Sequence, residues 1–195
     1  MGSVAILIPA AGASSRMRGR DKLLETVRGQ PLLRDRVTLA LATGCPIAVT
    51  LPPESGTRRA ALDGLRVTLL AVPDAATGMS ASLRAGAEWA IAQEVAALII
   101  LLPDLPDLTA SDMSLMLQAN DCETIFRACD AHGTPGHPVI LPARLLPELT
   151  RITGDTGARD LLRKHPVTPV TLPDRHATTD LDTPEAWAAW RAAQH

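Results

Sequence analysis

The stretch Pro9-Ala10-Ala11-Gly12-Ala13-Ser14-Ser15-Arg16-Met17, followed by Lys22, puts small residues and two cations directly after the apolar run Val4 to Ile8. Ligands of open parallel sheets collect at the carboxyl edge of the strands. Small residues let a backbone approach an anion closely. Ala10, Ala11, Gly12, Ser14 and Ser15 can therefore turn N–H groups toward phosphate oxygens, while Arg16 and Lys22 add charge-assisted bonds. The spacing lacks the Gly-Lys-Ser/Thr closure of a Walker A loop and the GxGxxG of dinucleotide folds. Composition alone also allows a flexible loop with solvated basic residues.

Acidic residues supply the second half of such a site. Asp104 follows the apolar run Ala97 to Leu102, and a carboxylate just past a central strand can hold Mg²⁺, which takes one or two carboxylates plus substrate phosphates. Asp104 and Asp107 can equally serve only to turn the chain. Near the other end, Thr179-Asp180-Leu181-Asp182-Thr183-Pro184-Glu185 places Asp180 and Asp182 on one side of an extended segment, so both can reach one metal. The plain alternative is a helix start with Thr183 as cap.

These residues need a scaffold. Short β-rich runs at Val4 to Ile8, Ile47 to Leu51, Val67 to Val72 and Ala97 to Leu102 alternate with helical stretches at Leu32 to Ala42, around Glu54 to Leu62, and at Ser80 to Ala92. That order predicts an α/β chain with a mostly parallel sheet and right-handed crossovers. Thr109 reads as the N-cap of a helix to Leu117. Beyond it come a strand at Thr124 to Ala128, an exposed loop or hairpin tip at Gly133 to Pro138, a strand at Pro138 to Leu141, a helix at Ala158 to Lys164, a strand at Val167 to Leu172 and a helix from Pro184. No repeat or Gly/Ser-rich linker interrupts the 195 residues, so residues 1–195 are expected to form one domain.

Composition narrows the partners. A net charge of −2 gives no basic stripe for a nucleic-acid backbone, and one Phe, three Trp and no Tyr provide few stacking platforms. Cys45, Cys122 and Cys129 are an odd set without a Cys-x-x-Cys pair, as in a reducing compartment. The apolar stretch Val4 to Ala13 lacks the basic residues that precede a signal sequence, and Val95 to Leu102 is too short to span a bilayer. A cytoplasmic protein that binds neither membrane nor nucleic acid is expected.

Ala10-Ala11-Gly12, Ser14, Arg16-Met17 and Lys22-Leu23-Leu24 resemble the opening motif of the MobA-like nucleotidyltransferases, with the molybdenum cofactor cytidylyltransferases as the nearest branch. The family pattern has Gly after Arg-Met, where this chain has Arg18 and then Gly19. Pro103-Asp104-Leu105-Pro106 resembles the family's Gly-Asp-Met-Pro, and Asp180-Leu181-Asp182-Thr183-Pro184-Glu185 its Asp-x-Asp-Thr-Pro-Glu. Gly78 to Gly86 is similar to a segment beside the nucleotide base, which implicates Gly78, Ser80 and Ser82; Ser80 can also cap a helix, and Met79 reads as packing. Gly136-His137-Pro138 and Gly154-Asp155-Thr156-Gly157-Ala158-Arg159 resemble acceptor-facing blocks, which implies roles for His137, Asp155 and Arg159. Arg159 suits an acceptor phosphate, since a guanidinium grips one bidentately.

The resemblance implies a three-layer Rossmann-like nucleotidyltransferase fold with a smaller, irregular β-containing acceptor lobe in the second half. It also implies a Mg²⁺-dependent enzyme that moves a nucleoside monophosphate, CMP from CTP, onto a phosphorylated acceptor such as molybdopterin, releasing pyrophosphate. Arg16, Lys22 and Asp104 are then the catalytic residues, and Asp104 with Asp180 and Asp182 the metal ligands. A molybdoenzyme or cofactor-delivery partner is implied with them. Two rivals are a nucleotidyltransferase for a sugar, polyol or choline phosphate, and a non-catalytic nucleotide or pterin carrier.

Overall fold

The four apolar runs lie side by side as the parallel core of one sheet. The structure is a computed structural model that describes residues 3–154 and 158–194. In chain order the elements are β1 (Val4–Pro9), β2 (Thr26–Val27), β3 (Gln30–Pro31), α1 (Leu32–Leu41), β4 (Ile47–Leu51), α2 (Gly56–Ala61), β5 (Thr68–Ala71), α3 (Met79–Ala92), β6 (Ala97–Ile100), α4 (Ala110–Ala119), β7 (Ile125–Cys129), β8 (Pro135–Pro142), α5 (Leu146–Leu149), α6 (Arg159–Lys164), β9 (Val167–Thr171) and α7 (Pro184–Ala193). The main sheet has seven strands in the order β5-β4-β1-β6-β8-β7-β9. β5, β4, β1 and β6 are parallel, whereas β8 runs antiparallel to both β6 and β7. β9 then adds to β7 in parallel at the far edge.

The central strands read as unbroken apolar runs because both of their faces are covered. Ile6 and Ile8 of β1 and Ile99 of β6 pack with Leu33 and Val37 of α1, Met113 and Met116 of α4 and Trp187 of α7. Ala5 and Leu7, with Leu98 and Ile100, pack against Leu83, Ala87 and Ala90 of α3, Leu146 and Leu149 of α5 and Leu161 of α6. The result is a three-layer α/β fold. From β1 the chain moves outward to β4 and β5, then returns over α3 to β6 on the opposite side of β1. The loops after β1 and β6 therefore diverge, which opens a crevice at the strands' carboxyl ends.

Several sequence expectations shift. The loop or hairpin tip expected at Gly133 to Pro138 is shorter, because β8 starts at Pro135 and the turn precedes it. Prolines fit there because β7 and β8 slip register between Arg127 and Cys129, and such an irregularity tolerates a missing donor. Ser80 lies inside α3, whose cap position belongs to Gly78 at φ 101°. Thr109 does cap α4 and forms a capping box with Asp112, and Thr183 caps α7 ahead of Pro184. The β2–β3 hairpin carried no sequence signal: its turn residues, Arg28 and Gly29, both have positive φ, and Arg-Gly is not among the usual Asn-Gly or Asp-Gly pairs.

Gly86 makes close crossover packing possible. A Cβ there would lie 2.1–2.8 Å from the Leu7 side chain of β1. Gly86→Ala is expected to destabilise the fold by about 1–3 kcal/mol through overpacking, despite its better helix propensity, as read by denaturant unfolding.

Candidate active site

Lys22 stands where three distant segments meet. Its Nζ donates to Asp104 Oδ2 at 2.6 Å and to Asp182 Oδ1 at 2.5 Å. Asp104 is carried by the loop after β6, Asp182 by the segment before α7, and Lys22 by a single helical turn, Lys22–Leu24, capped by the Asp21 side chain. Arg16 reaches the other Asp182 oxygen at 2.8 Å from an exposed position. Burial alone would lower the Lys22 pKa, but Asp104 and then Asp182 outweigh it and raise the pKa. The ammonium therefore stays charged and holds together two carboxylates that would otherwise repel. Lys22 is part-buried, unlike the solvated basic residue of a flexible loop that composition alone also allowed.

The loop after β1 is fixed from beneath by residues that the sequence did not single out. Buried Arg58 of α2 donates to the Ala10 carbonyl at 2.7 Å, to both Asp21 oxygens at 2.6 and 2.9 Å, and to Ser14 Oγ at 3.3 Å. Ser14 Oγ in turn donates to Asp21 at 3.1 Å. Burial favours the neutral carboxyl of Asp21, but Arg58, with the Leu23 N–H and the Ser14 hydroxyl, more than compensates, and its pKa falls below the usual value. Ser14 and Arg18 sit in left-handed backbone, at φ 51° and 53°. Arg18 thus adopts in a non-glycine residue the conformation that glycine favours, and its guanidinium reaches Glu185 at 2.6 Å.

A cleft of about 450 Å³ opens above this loop, lined by Gly12, Ser14, Ser15, Arg16, Lys22, Gly78, Ser82 and Asp182 among others. A Cβ on Gly12 would meet nothing within 4 Å. Ala10 and Ala11 are buried, and the Ala10 N–H is taken up by Thr50, so the expectation that Ala10 offers its N–H to a phosphate is corrected. Ser80 is likewise turned away, fully buried with its hydroxyl accepting from Arg84 at 3.2 Å. Asp180 is exposed and lines a different cleft with His176 and Trp190, because buried Leu181 separates it from Asp182 and the segment is not an extended strand. Asp155 lies outside the described residues.

The turn carrying Asp104 is held from α1. Buried Arg36 donates to the carbonyls of Leu105 and Leu108 at 3.0 and 2.7 Å, and Arg28 donates to that of Pro106 at 2.9 Å. Both guanidiniums also hold Asp35. Asp104 Oδ1 is buried without a hydrogen-bond partner. A neighbouring pocket of about 280 Å³ is lined by Met79, Leu102, Arg127, His137, Arg159 and Leu162 among others. Met79, expected to be packing, is an exposed residue that borders both clefts. The buried Nδ1 of His137 has no partner, and burial, aided by Arg127, pushes the His137 pKa down to about 4.

The sequence from 6 to 170 matches the MobA-like NTP transferase domain family. The chain belongs to that family. A curated relative, nicotine blue oxidoreductase of Paenarthrobacter nicotinovorans, is 29% identical over 188 residues, covering 90% of each chain. Rv0371c from Mycobacterium tuberculosis H37Rv is 25% identical across 96% of both chains with a TM-score of 0.84, and that protein has also been solved as a manganese complex. A nucleotidyl transferase from Methanothermobacter thermautotroptrophicus, 20% identical over 98% of this chain and 97% of its own, shares the fold with a TM-score of 0.82. The MobA-like match stops short of Asp182, so the link from Asp182 to this site comes from its contacts with Lys22 and Arg16. Among the described residues no helix is long and apolar enough to cross a membrane, and no three His, Cys, Asp or Glu side chains group as metal ligands.

His137 gives a pH signature. Above its ordinary pKa of 6.5 the ring is neutral in both folded and unfolded chains. Between 6.5 and about 4 the unfolded chain binds the proton first, so stability falls with pH, by up to about 3 kcal/mol across the window. Denaturant unfolding at a series of pH values should show this acid loss in the native protein and a shallower one in His137→Gln.

Proposed function

We propose that this protein transfers a nucleoside monophosphate, CMP from CTP, to a phosphorylated acceptor, with molybdopterin as the favoured acceptor and pyrophosphate as the other product. The observation that carries the reading is Lys22 joined to both Asp104 and Asp182 beside the Gly12 to Arg16 loop. CTP and molybdopterin rest on the resemblance of the sequence motifs. Cytoplasmic action rests on the cysteine usage, and hand-over to a molybdoenzyme or delivery partner on the same resemblance.

In this reading the triphosphate lies along the cleft, with backbone N–H groups from Gly12 to Arg16 turned to its oxygens and Arg16 and Lys22 neutralising charge as pyrophosphate departs. Gly78 and Ser82 face the nucleoside. Asp104 and Asp182 would hold Mg²⁺, and the donors fit: two carboxylates, one with a buried, unpartnered oxygen, leave the remaining positions to phosphates and water. Bound there, the ion would supply charge neutralisation on the phosphates. The acceptor phosphate is already ionised near neutral pH, so the attacking oxygen needs no strong base, and His137, neutral there, serves as a hydrogen-bonding group. Catalysis then depends on alignment and charge stabilisation.

The name of the curated relative supplies a second reading, an oxidoreductase on the same scaffold. Redox turnover of nicotine blue with no pyrophosphate released would favour it. A carrier role would show as tight pterin binding without pyrophosphate release, and a sugar, polyol or choline phosphate acceptor as turnover with that compound in place of molybdopterin.

Asp104→Asn should abolish pyrophosphate release from CTP and molybdopterin at every Mg²⁺ concentration while the melting temperature is kept, because Lys22 retains Asp182. Normal turnover would remove Asp104 from the chemistry. Lys22→Ala should slow turnover by about 10²-fold or more, the cost of losing one preorganised electrostatic donor, and should also lower stability, since it leaves the two carboxylates facing each other.

A further inference from the structure

The pocket beside the nucleotide cleft does not end at His137. Arg127, Arg159 and Leu162 line it and also line a second cavity of about 560 Å³, which continues past Cys129, Gly133 and Pro135 toward β9. The two spaces meet at these three shared residues, so together they offer one path along the sheet. It begins at Met79, which also borders the nucleotide cleft, and passes the apolar side chains of Leu83, Ile100, Leu102 and Val139. Spaces of about 280 and 560 Å³ hold far more than a phosphate alone requires.

Its charge is one-sided. Among the described residues no Asp or Glu lines either cavity, whereas Arg127 and Arg159 stand at their junction. Arg127 is half-buried on β7, and its Nε donates to the Gly136 carbonyl at 2.9 Å. No acid among the described residues pairs with it or with Arg159. Burial and then the nearby Arg159 charge depress the Arg127 pKa, the response of two cations facing a common space. His137, buried and neutral at ordinary pH, borders the same pocket and adds no opposing charge. Two guanidiniums that face a common space, with no acid among the described residues to pair with them, describe a site built for an anion.

We propose that the acceptor carries a second anionic group in addition to its reacting phosphate, and that Arg127 and Arg159 hold that group at the junction of the two cavities. The inference rests on the nucleotidyltransferase reading and narrows its substrate class. The acceptor has a body long enough to pass the apolar stretch from Met79 to Leu162, with negative charge at both ends. Acceptors whose far end is cationic, such as phosphocholine, meet repulsion there, and short polyol phosphates leave the second cavity empty.

Binding of three probes, measured by titration calorimetry on the whole protein, tests this without requiring turnover: fructose 1,6-bisphosphate, fructose 6-phosphate and phosphocholine. The native protein should prefer the bisphosphate to either monophosphate by about tenfold or more, the factor a charge-assisted contact supplies. That preference should vanish in Arg127→Met and in Arg159→Gln, the latter an exposed position where folding is not at stake, and persist in Lys22→Ala. Equal binding of all three probes, no binding, or a preference lost in Lys22→Ala but kept in both arginine variants would overturn it. Pyrophosphate release separates the two claims. Release without the bisphosphate preference sinks only the second anion site, and the preference without release sinks only the transfer reading.

Discussion

One ammonium group holds this site together. Lys22 Nζ bridges carboxylates 82 and 160 residues away in sequence, and without it Asp104 and Asp182 would be two like charges close together in a partly buried crevice. Like charges at that range repel by several kcal/mol where water is scarce. The cation makes the arrangement stable before any ligand arrives, and the same positive charge is available to a polyphosphate.

Everything around the lysine serves to keep that bridge in place. The reversal of strand order between β1 and β6 brings the loops after both strands to the rim of one crevice. Arg58 fixes the first loop from α2 by pairing with Asp21 and the Ala10 carbonyl, and Arg36 with Asp35 fixes the second from α1. Each anchor is a charged group tied to backbone carbonyls or to an opposite charge. A buried ion of this kind contributes little net stability but strongly penalises any other arrangement. The helices therefore do more than cover the sheet, since they deliver the guanidiniums that shape both loops.

The α/β architecture was legible in the sequence because unbroken apolar runs such as Ala97 to Leu102 have no other stable use than strands covered on both faces. Thr109 and Thr183 announced their helices through capping chemistry. Lys22, Asp104 and the small residues after β1 were legible as well, since residue type and position relative to a strand point directly to anion and cation chemistry. Arg58, Asp21, Arg36 and Arg127 were not, because a lone arginine in a helix or strand looks the same whether it is solvated or buried against a distant loop. The choice between Asp180 and Asp182 was similarly closed to sequence, where alternation put both on one side. Buried Leu181, whose N–H bonds the Asp104 carbonyl at 3.2 Å, ties the segment to the second loop and leaves Asp180 exposed.

The measurement that bears most directly on this account is anomalous diffraction from crystals grown with Mn²⁺ and CTP. One manganese peak shared by the carboxylates of Asp104 and Asp182 is expected, with the triphosphate lying over Gly12 to Arg16 and in contact with Lys22. A metal bound at Asp180, or a triphosphate lying away from Lys22, would contradict it.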